Sequence, residues 1–245
     1  MGKIVAIGGG ELGDLETLNI DKEIVRLTGK KIPRALFIPT ASNDAGGYYE
    51  DFDKVYGRKL NCTTDVLYLV DTKFSYASLR EKILSSDLIY VGGGNTLNML
   101  KVWKQNRVDQ LLKEAYKKDI VLSGLSAGAI CWFKYGSSDS RKSSNPKTPF
   151  VRISGLNLIP ALASPHHIRE PHRRDGIIEL MKKTSGVGIA LDDNSALEIV
   201  DEKYRIITSQ LGAKAHKVYH HRGHLHYSEI LQTREFKALD VLLKR

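Results

Sequence analysis

Gly124-Leu125-Ser126-Ala127-Gly128-Ala129 sets a serine between two glycines, after the apolar run Ile120-Val121-Leu122 and before Ile130-Cys131-Trp132-Phe133. A strand, a G-x-S-x-G and a helix in that order make a nucleophile elbow, with the hydroxyl projecting at the carboxyl edge of a sheet. The glycines give room, because side chains two positions either side of the serine would clash in so tight a turn. The N-terminus of the following helix lies under the hydroxyl, where free N–H groups can hold an oxyanion. The chemistry implied is nucleophilic attack by Ser126, with Ala127 supplying one oxyanion donor.

An activated serine needs a base, and the base needs an orienting acid. The histidines fall into two groups, His166, His167 and His172 in one and His216, His220, His221, His224 and His226 in the other. The second group alternates with Arg222, Gly223 and Leu225 in the manner of a surface hairpin. It lacks the cysteine or carboxylate set that would make it a metal centre, and no metal is assigned. A glycine loop, Val91-Gly92-Gly93-Gly94-Asn95-Thr96-Leu97, closes another strand. Its backbone N–H groups can face the same edge, with Asn95 or Thr96 capping the next helix.

Those three stretches, Gly92-Gly93-Gly94-Asn95-Thr96, Gly124-Leu125-Ser126-Ala127-Gly128-Ala129 and Ser164-Pro165-His166, occur in that order and resemble the peptidase E family. That family comprises serine peptidases, aspartyl dipeptidases and cyanophycinases among them. The resemblance runs over residues 3–200. It implies a flavodoxin-like fold similar to class I glutamine amidotransferases, with serine in place of cysteine. It also implies that the base is His166, the residue after the proline, rather than His167. The acid it implies is Asp193, in Asp192-Asp193-Asn194-Ser195-Ala196, where the family usually carries the longer Glu. Asp139 matches an alternative acid. Gly94 and Ala127 are the expected oxyanion donors. Asn95, Arg169 and Arg173 are the expected substrate contacts, since an aspartyl dipeptidase needs a cation for the substrate carboxylate.

The elements that must position these groups read as alternating strands and helices. Strands are expected at residues 4–7, 35–38, 66–70, 88–91 and 120–122, and helices at 18–27, 47–60, 75–84, 96–104 and 108–117. Apolar strands alternating with helices indicate a doubly wound, mostly parallel sheet covered on both faces, an α/β fold. Residues 136–149 are polar and aperiodic, a loop of the kind that is often functional. Beyond it come strand-like pieces near 153–164, a helix at about 174–184, and strands near 187–191, 195–200, 204–208, 215–220 and 224–231. A helix at 234–243 ends this β-rich C-terminal extension. Neither a repeat nor a linker interrupts the pattern, so residues 1–245 read as one domain.

Composition narrows the function classes. At 42% hydrophobic and 27% charged residues, the chain has globular balance and no run long enough to span a membrane. Its 37 basic against 28 acidic residues give +9, but the charges are scattered. They read first as a solvated basic surface and more sharply as a field that attracts acidic substrates, and no nucleic-acid module is recognisable. Two cysteines, Cys62 and Cys131, make no disulfide framework. Without a signal-peptide layout, a cytoplasmic monomer or homodimer with no cofactor, acting on small peptides, is expected.

Three rival readings stand beside this one, the second of which keeps the chemistry and changes the fold. Gly8-Gly9-Gly10-Glu11-Leu12-Gly13 fits a dinucleotide-binding G-x-G-x-x-G, although Asp14 and Glu16 put carboxylates where a pyrophosphate would lie. An α/β-hydrolase-type esterase would use Ser126, Asp193 and then His220, His221 or His224. A catalytically inactive binding module of the same fold would keep the turn and lose the chemistry.

Overall fold

The computed structural model describes residues 2–141, 148–170 and 172–245; part of the expected polar loop, residues 142–147, lies outside them, as does Pro171. The first half runs β1 (Lys3–Ile7), α1 (Leu18–Leu27), β2 (Arg34–Ile38), α2 (Gly46–Phe52), β3 (Thr63–Val66), α3 (Tyr76–Leu84), β4 (Leu88–Val91), α4 (Thr96–Asn106), α5 (Val108–Lys117) and β5 (Val121–Leu125). The second half runs α6 (Ala127–Ile130), β6 (Phe133–Ser138), β7 (Val151–Ser154), β8 (Ile159–Ser164), α7 (Arg173–Lys182), β9 (Gly188–Leu191), β10 (Ser195–Val200), β11 (Lys203–Thr208), β12 (Ala215–His221), β13 (His224–Glu229), β14 (Lys237–Ala238) and α8 (Leu239–Leu243).

The fold is α/β with two sheets, where the sequence reading has one. The first has the order β14-β11-β10-β1-β5-β4-β2-β3, the second β13-β12-β9-β8-β6-β7. In the first sheet β1, β5, β4, β2 and β3 run parallel, and β10 is antiparallel to β1. In the second, β6, β8 and β9 run parallel. Every residue of β4 and β5 is buried, as parallel strands covered on both faces require. The β-rich C-terminal segment does not stand apart. Its strands alternate between the sheets, and the turn Asp192-Asp193-Asn194 carries the chain from β9 in the second sheet to β10 in the first. One apolar cluster takes residues from both sheets, including Ile4, Ile89, Phe133 and Ile189.

Strand ends decide where side chains can meet. β1, β5 and β4 are parallel neighbours, so their carboxyl ends release Gly8-Gly9-Gly10, Ser126 and Gly92-Gly93-Gly94 at one edge. β8 and β9 are also parallel neighbours and release His166 and Asp193 together. Ligand sites of open α/β sheets form at such carboxyl edges.

Elsewhere the boundaries move. The third strand is Thr63–Val66 rather than 66–70, because Leu69 and Val70 donate their N–H groups to Asp44 Oδ2 at 2.5 and 2.6 Å instead of to a strand. The expected 47–60 helix is α2 followed by a π-helical stretch, Asp53–Lys59. The closing helix covers only Leu239–Leu243, since Lys237 and Ala238 pair with Tyr204 and Lys203 as an edge strand. Among the described residues, no helix is long and apolar enough to cross a membrane.

α1 packs on the π-helical stretch around a buried carboxyl. Asp21 accepts from the Thr17 hydroxyl and the Tyr56 hydroxyl, both at 2.8 Å. Burial pushes its pKa up to about 7, although both hydrogen bonds pull the other way. The folded pKa lies above the unfolded one, so the folded state holds the extra proton between them. The contribution of Asp21 to stability is therefore greatest at low pH and declines by about 1.4 kcal/mol per pH unit as pH rises toward 7. Asp21→Asn removes this slope. Urea unfolding between pH 5 and 8 should show the variant gaining on the wild type as pH rises, and parallel curves would contradict the buried proton.

Candidate active site

Ser126 follows the last residue of β5 with φ +55° and ψ −112°, a backbone conformation that L-residues rarely adopt. Such strain, of order 1–3 kcal/mol, persists only where the surroundings enforce it. Here the Ser126 N–H is held by the Ile7 carbonyl at 3.0 Å, while its own carbonyl accepts from Ala129 and Ile130 at 3.0 Å to start α6. A Cβ on Gly124 would meet the Val91 carbonyl oxygen at 2.6 Å, and one on Gly128 would meet it at 2.1 Å. The two glycines let α6 lie against the end of β4, which is the room the sequence pattern calls for.

The Ser126 hydroxyl lies 2.8 Å from His166 Nε2, and His166 Nδ1 lies 2.6 Å from Asp193 Oδ1. Asp193 only accepts, so the ring proton is assigned to Nδ1 and the Nε2 lone pair faces the hydroxyl. Burial raises the pKa of Asp193. The hydrogen bond and charge of His166, then those of Arg169, outweigh it and hold the carboxyl below its usual range. Neither the hydrogen bond to Ser126 nor that to Asp193 involves His220, His221 or His224, which the esterase order requires.

The glycine loop after β1 is a packing surface for this pair. A Cβ on Gly9 would fall 2.1 Å from Asp193 Oδ1 and 2.4 Å from His166 Nδ1, and one on Gly8 would fall 2.1 Å from the Asp192 carbonyl oxygen. His166 N–H also donates to the Gly8 carbonyl at 3.1 Å, and Asn194 N–H to that of Gly9 at 3.0 Å. The space over Gly9 is thus filled by the Asp193 and His166 side chains, which leaves no seat for a pyrophosphate and removes the dinucleotide reading. Gly9→Ala must displace one of the two side chains. A misplacement of that size lowers turnover by about 100-fold, and unchanged kcat would show that the pair tolerates the shift.

A cleft of about 520 Å³ opens on Ser126, lined also by Gly94, Asn95, Asp139, Ser140, Glu170 and Arg173. Gly94 has φ +134°, and a Cβ there would meet the Ala41 carbonyl oxygen at 2.1 Å. The preceding N–H, of Gly93, is anchored to the Tyr48 hydroxyl at 3.1 Å. Tyr48 is a residue that sequence reasoning misses; it lies in the expected 47–60 helix, and nothing in the sequence links it to Gly93. Asn95 lines the cleft, but its side chain caps α4 through Asn98 N–H at 3.0 Å and donates to the Ser140 carbonyl at 3.3 Å.

The arginines separate into different roles. Arg173 lines the cleft while only 2% of its side chain is exposed. Its Nε meets Glu170 at 2.6 Å, its Nη1 the Ser137 carbonyl at 2.9 Å and its Nη2 Asp139 at 3.6 Å. Asp139, the alternative acid, therefore faces Arg173, while Asp193 is the carboxylate hydrogen-bonded to His166. Arg169, expected on the substrate, is not part of the cleft wall and pairs with Asp193 Oδ2 at 3.0 Å. Arg174 lies over the Tyr227 ring. His167 is buried and bonded through Nε2 to the Tyr227 hydroxyl; burial, then His216 and Arg174, push its pKa down to about 4. Among the described residues, no three His, Cys, Asp or Glu side chains are grouped to hold a metal ion.

With this geometry in place, comparison with known proteins is decisive. The family model of peptidase family S51 matches residues 4–207. The chain belongs to peptidase family S51. The Bacillus subtilis (strain 168) uncharacterized peptidase YgaJ is 35% identical over 221 residues, covering 89% of this chain and 92% of that protein. Peptidase E of Nostoc sp. (strain PCC 7120) is 25% identical over 150 residues, 60% of this chain and 57% of that protein. The crystal structure of a peptidase from an acI-B1 Actinobacterium superposes with a TM-score of 0.73 at 18% identity, covering 97% of both chains. Membership of family S51 makes the chain a peptidase, and its peptidase E-like resemblance holds.

Proposed function

We propose that this S51 peptidase is a serine peptidase that hydrolyses short peptides through Ser126, His166 and Asp193. The observation that carries the reading is the unbroken hydrogen-bonded line from the Ser126 hydroxyl through His166 to Asp193, at the edge where the strained turn presents the serine. Ser126 Oγ attacks the scissile carbonyl carbon as His166 Nε2 takes its proton. The imidazolium, stabilised by Asp193, then protonates the leaving amine, and water hydrolyses the acyl-serine by the same route in reverse. The N–H groups of Gly94 and Ala127 are the proposed oxyanion donors, each contributing about 2.7–4 kcal/mol to the barrier reduction. Ala127 suits that role because the first turn of a helix leaves its N–H groups without an intrahelical acceptor.

The substrate class follows from Arg173. It is a buried cation in the cleft wall, and Asp139, 45% exposed and 3.6 Å away, is its loosest partner. An acidic side chain beside the scissile bond would displace Asp139 from Arg173, a role for which a planar guanidinium is suited. On this reading Arg169 serves Asp193, whose Oδ2 its Nη1 holds at 3.0 Å, rather than the substrate. A panel of unblocked dipeptides tests both levels: Asp-X should be cleaved faster than Ala-X or Lys-X. Equal rates would remove the acidic preference, and no cleavage of any short peptide would remove the function.

A further inference from the structure

Residues 166–170 form a single turn in which Glu170 N–H donates to the His166 carbonyl at 3.1 Å. Residues three apart in such a turn share a face. His166 and Arg169 use that face on one carboxylate: His166 Nδ1 holds Asp193 Oδ1 at 2.6 Å, and Arg169 Nη1 holds Oδ2 at 3.0 Å. We propose that Arg169 is a positioning residue of the hydrolytic unit, clamping with His166 the two oxygens of Asp193. The inference rests on the serine-peptidase reading above.

A carboxylate held by one oxygen is free to turn about its last torsion, which is broad for aspartate. A second grip fixes the plane of the group, and with it the ring that must stay aimed at Ser126. Asp193 is only 13% exposed, whereas the Arg169 side chain is 57% exposed and reaches the acid from the solvent side. Arg169 is steadied in turn by Glu11, at 3.7 Å on the loop after β1, and by the charge of Glu16. The clamp therefore ties the turn carrying the base, the turn carrying the acid and the glycine loop beneath them.

Only one Arg169 nitrogen is engaged with Asp193, so a lysine charge can replace it in part, while methionine keeps the stem and removes both charge and donors. Arg169→Met should lower kcat by about tenfold, the upper scale for a charge-assisted contact this open to water. KM should stay within about twofold, and Arg169→Lys should restore most of the loss. The rate at which a fluorophosphonate probe labels Ser126 should fall by the same factor in Arg169→Met, since labelling reports activation of the hydroxyl without a peptide side chain. A raised KM with unchanged kcat and unchanged labelling would overturn the clamp and return Arg169 to substrate binding. Labelling by the wild type shows that the underlying reading stands; a wild type that resists the probe would overturn that reading and the clamp together.

Discussion

Ser126→Ala should abolish peptide hydrolysis, with kcat falling by on the order of 10⁶, the scale of removing a serine nucleophile from a triad. The substitution deletes one oxygen whose hydrogen bond is to His166. It leaves the strained backbone, the Ile7 contact and the start of α6 as they are, because those run through main-chain atoms. The melting temperature should therefore be nearly unchanged while turnover disappears. Steady-state kinetics beside a thermal melt measure both, and retained turnover in a folded variant would remove Ser126 from the chemistry.

Asp193→Asn should be the next largest loss, about 10⁴-fold in kcat, because an amide no longer fixes the His166 tautomer or stabilises the imidazolium. Asp139→Asn should cost far less, since Asp139 faces Arg173 at 3.6 Å and makes no hydrogen bond to the histidine. Its effect should fall instead on KM for Asp-X peptides, if their carboxylate competes for Arg173 as proposed. The comparison is internally controlled, because both variants remove one negative charge from the same region. A crippled Asp139→Asn beside an active Asp193→Asn would reverse the assignment.

The hydrogen-bonded line of Ser126, His166 and Asp193 was legible because its signals are local. Two glycines flanking Ser126 follow from the sterics of one turn, and the Cβ positions at Gly124 and Gly128 bear that out against the Val91 carbonyl. Ser164-Pro165-His166 and Asp192-Asp193-Asn194 were placed by their motifs at strand ends, and parallel pairing of β8 and β9 does bring those ends together. The supporting groups were not legible, because each acts across a long separation in the chain. Gly9 matters through its contact with residues 166 and 193, and reads in sequence as a phosphate loop. Tyr48 matters through a single N–H of Gly93. Arg169 reads as a substrate contact because its charge is visible in the sequence, while its bond to Asp193, 24 residues on, is not. The two-sheet layout was hidden for the same reason: the turn from β9 to β10 looks like any hairpin until pairing with β1 shows that it changes sheets.

The most direct measurement is to catch the acyl-enzyme. The protein is mixed with an activated ester of a short acyl group and quenched in acid within the first turnover, and the peptide carrying Ser126 is weighed by mass spectrometry. A serine peptidase using this triad gains the mass of the acyl group on Ser126, more slowly in Asp193→Asn and not at all in Ser126→Ala. Continued turnover with Ser126 unmodified, or with the acyl group on another residue, would contradict the assignment of Ser126 as the nucleophile.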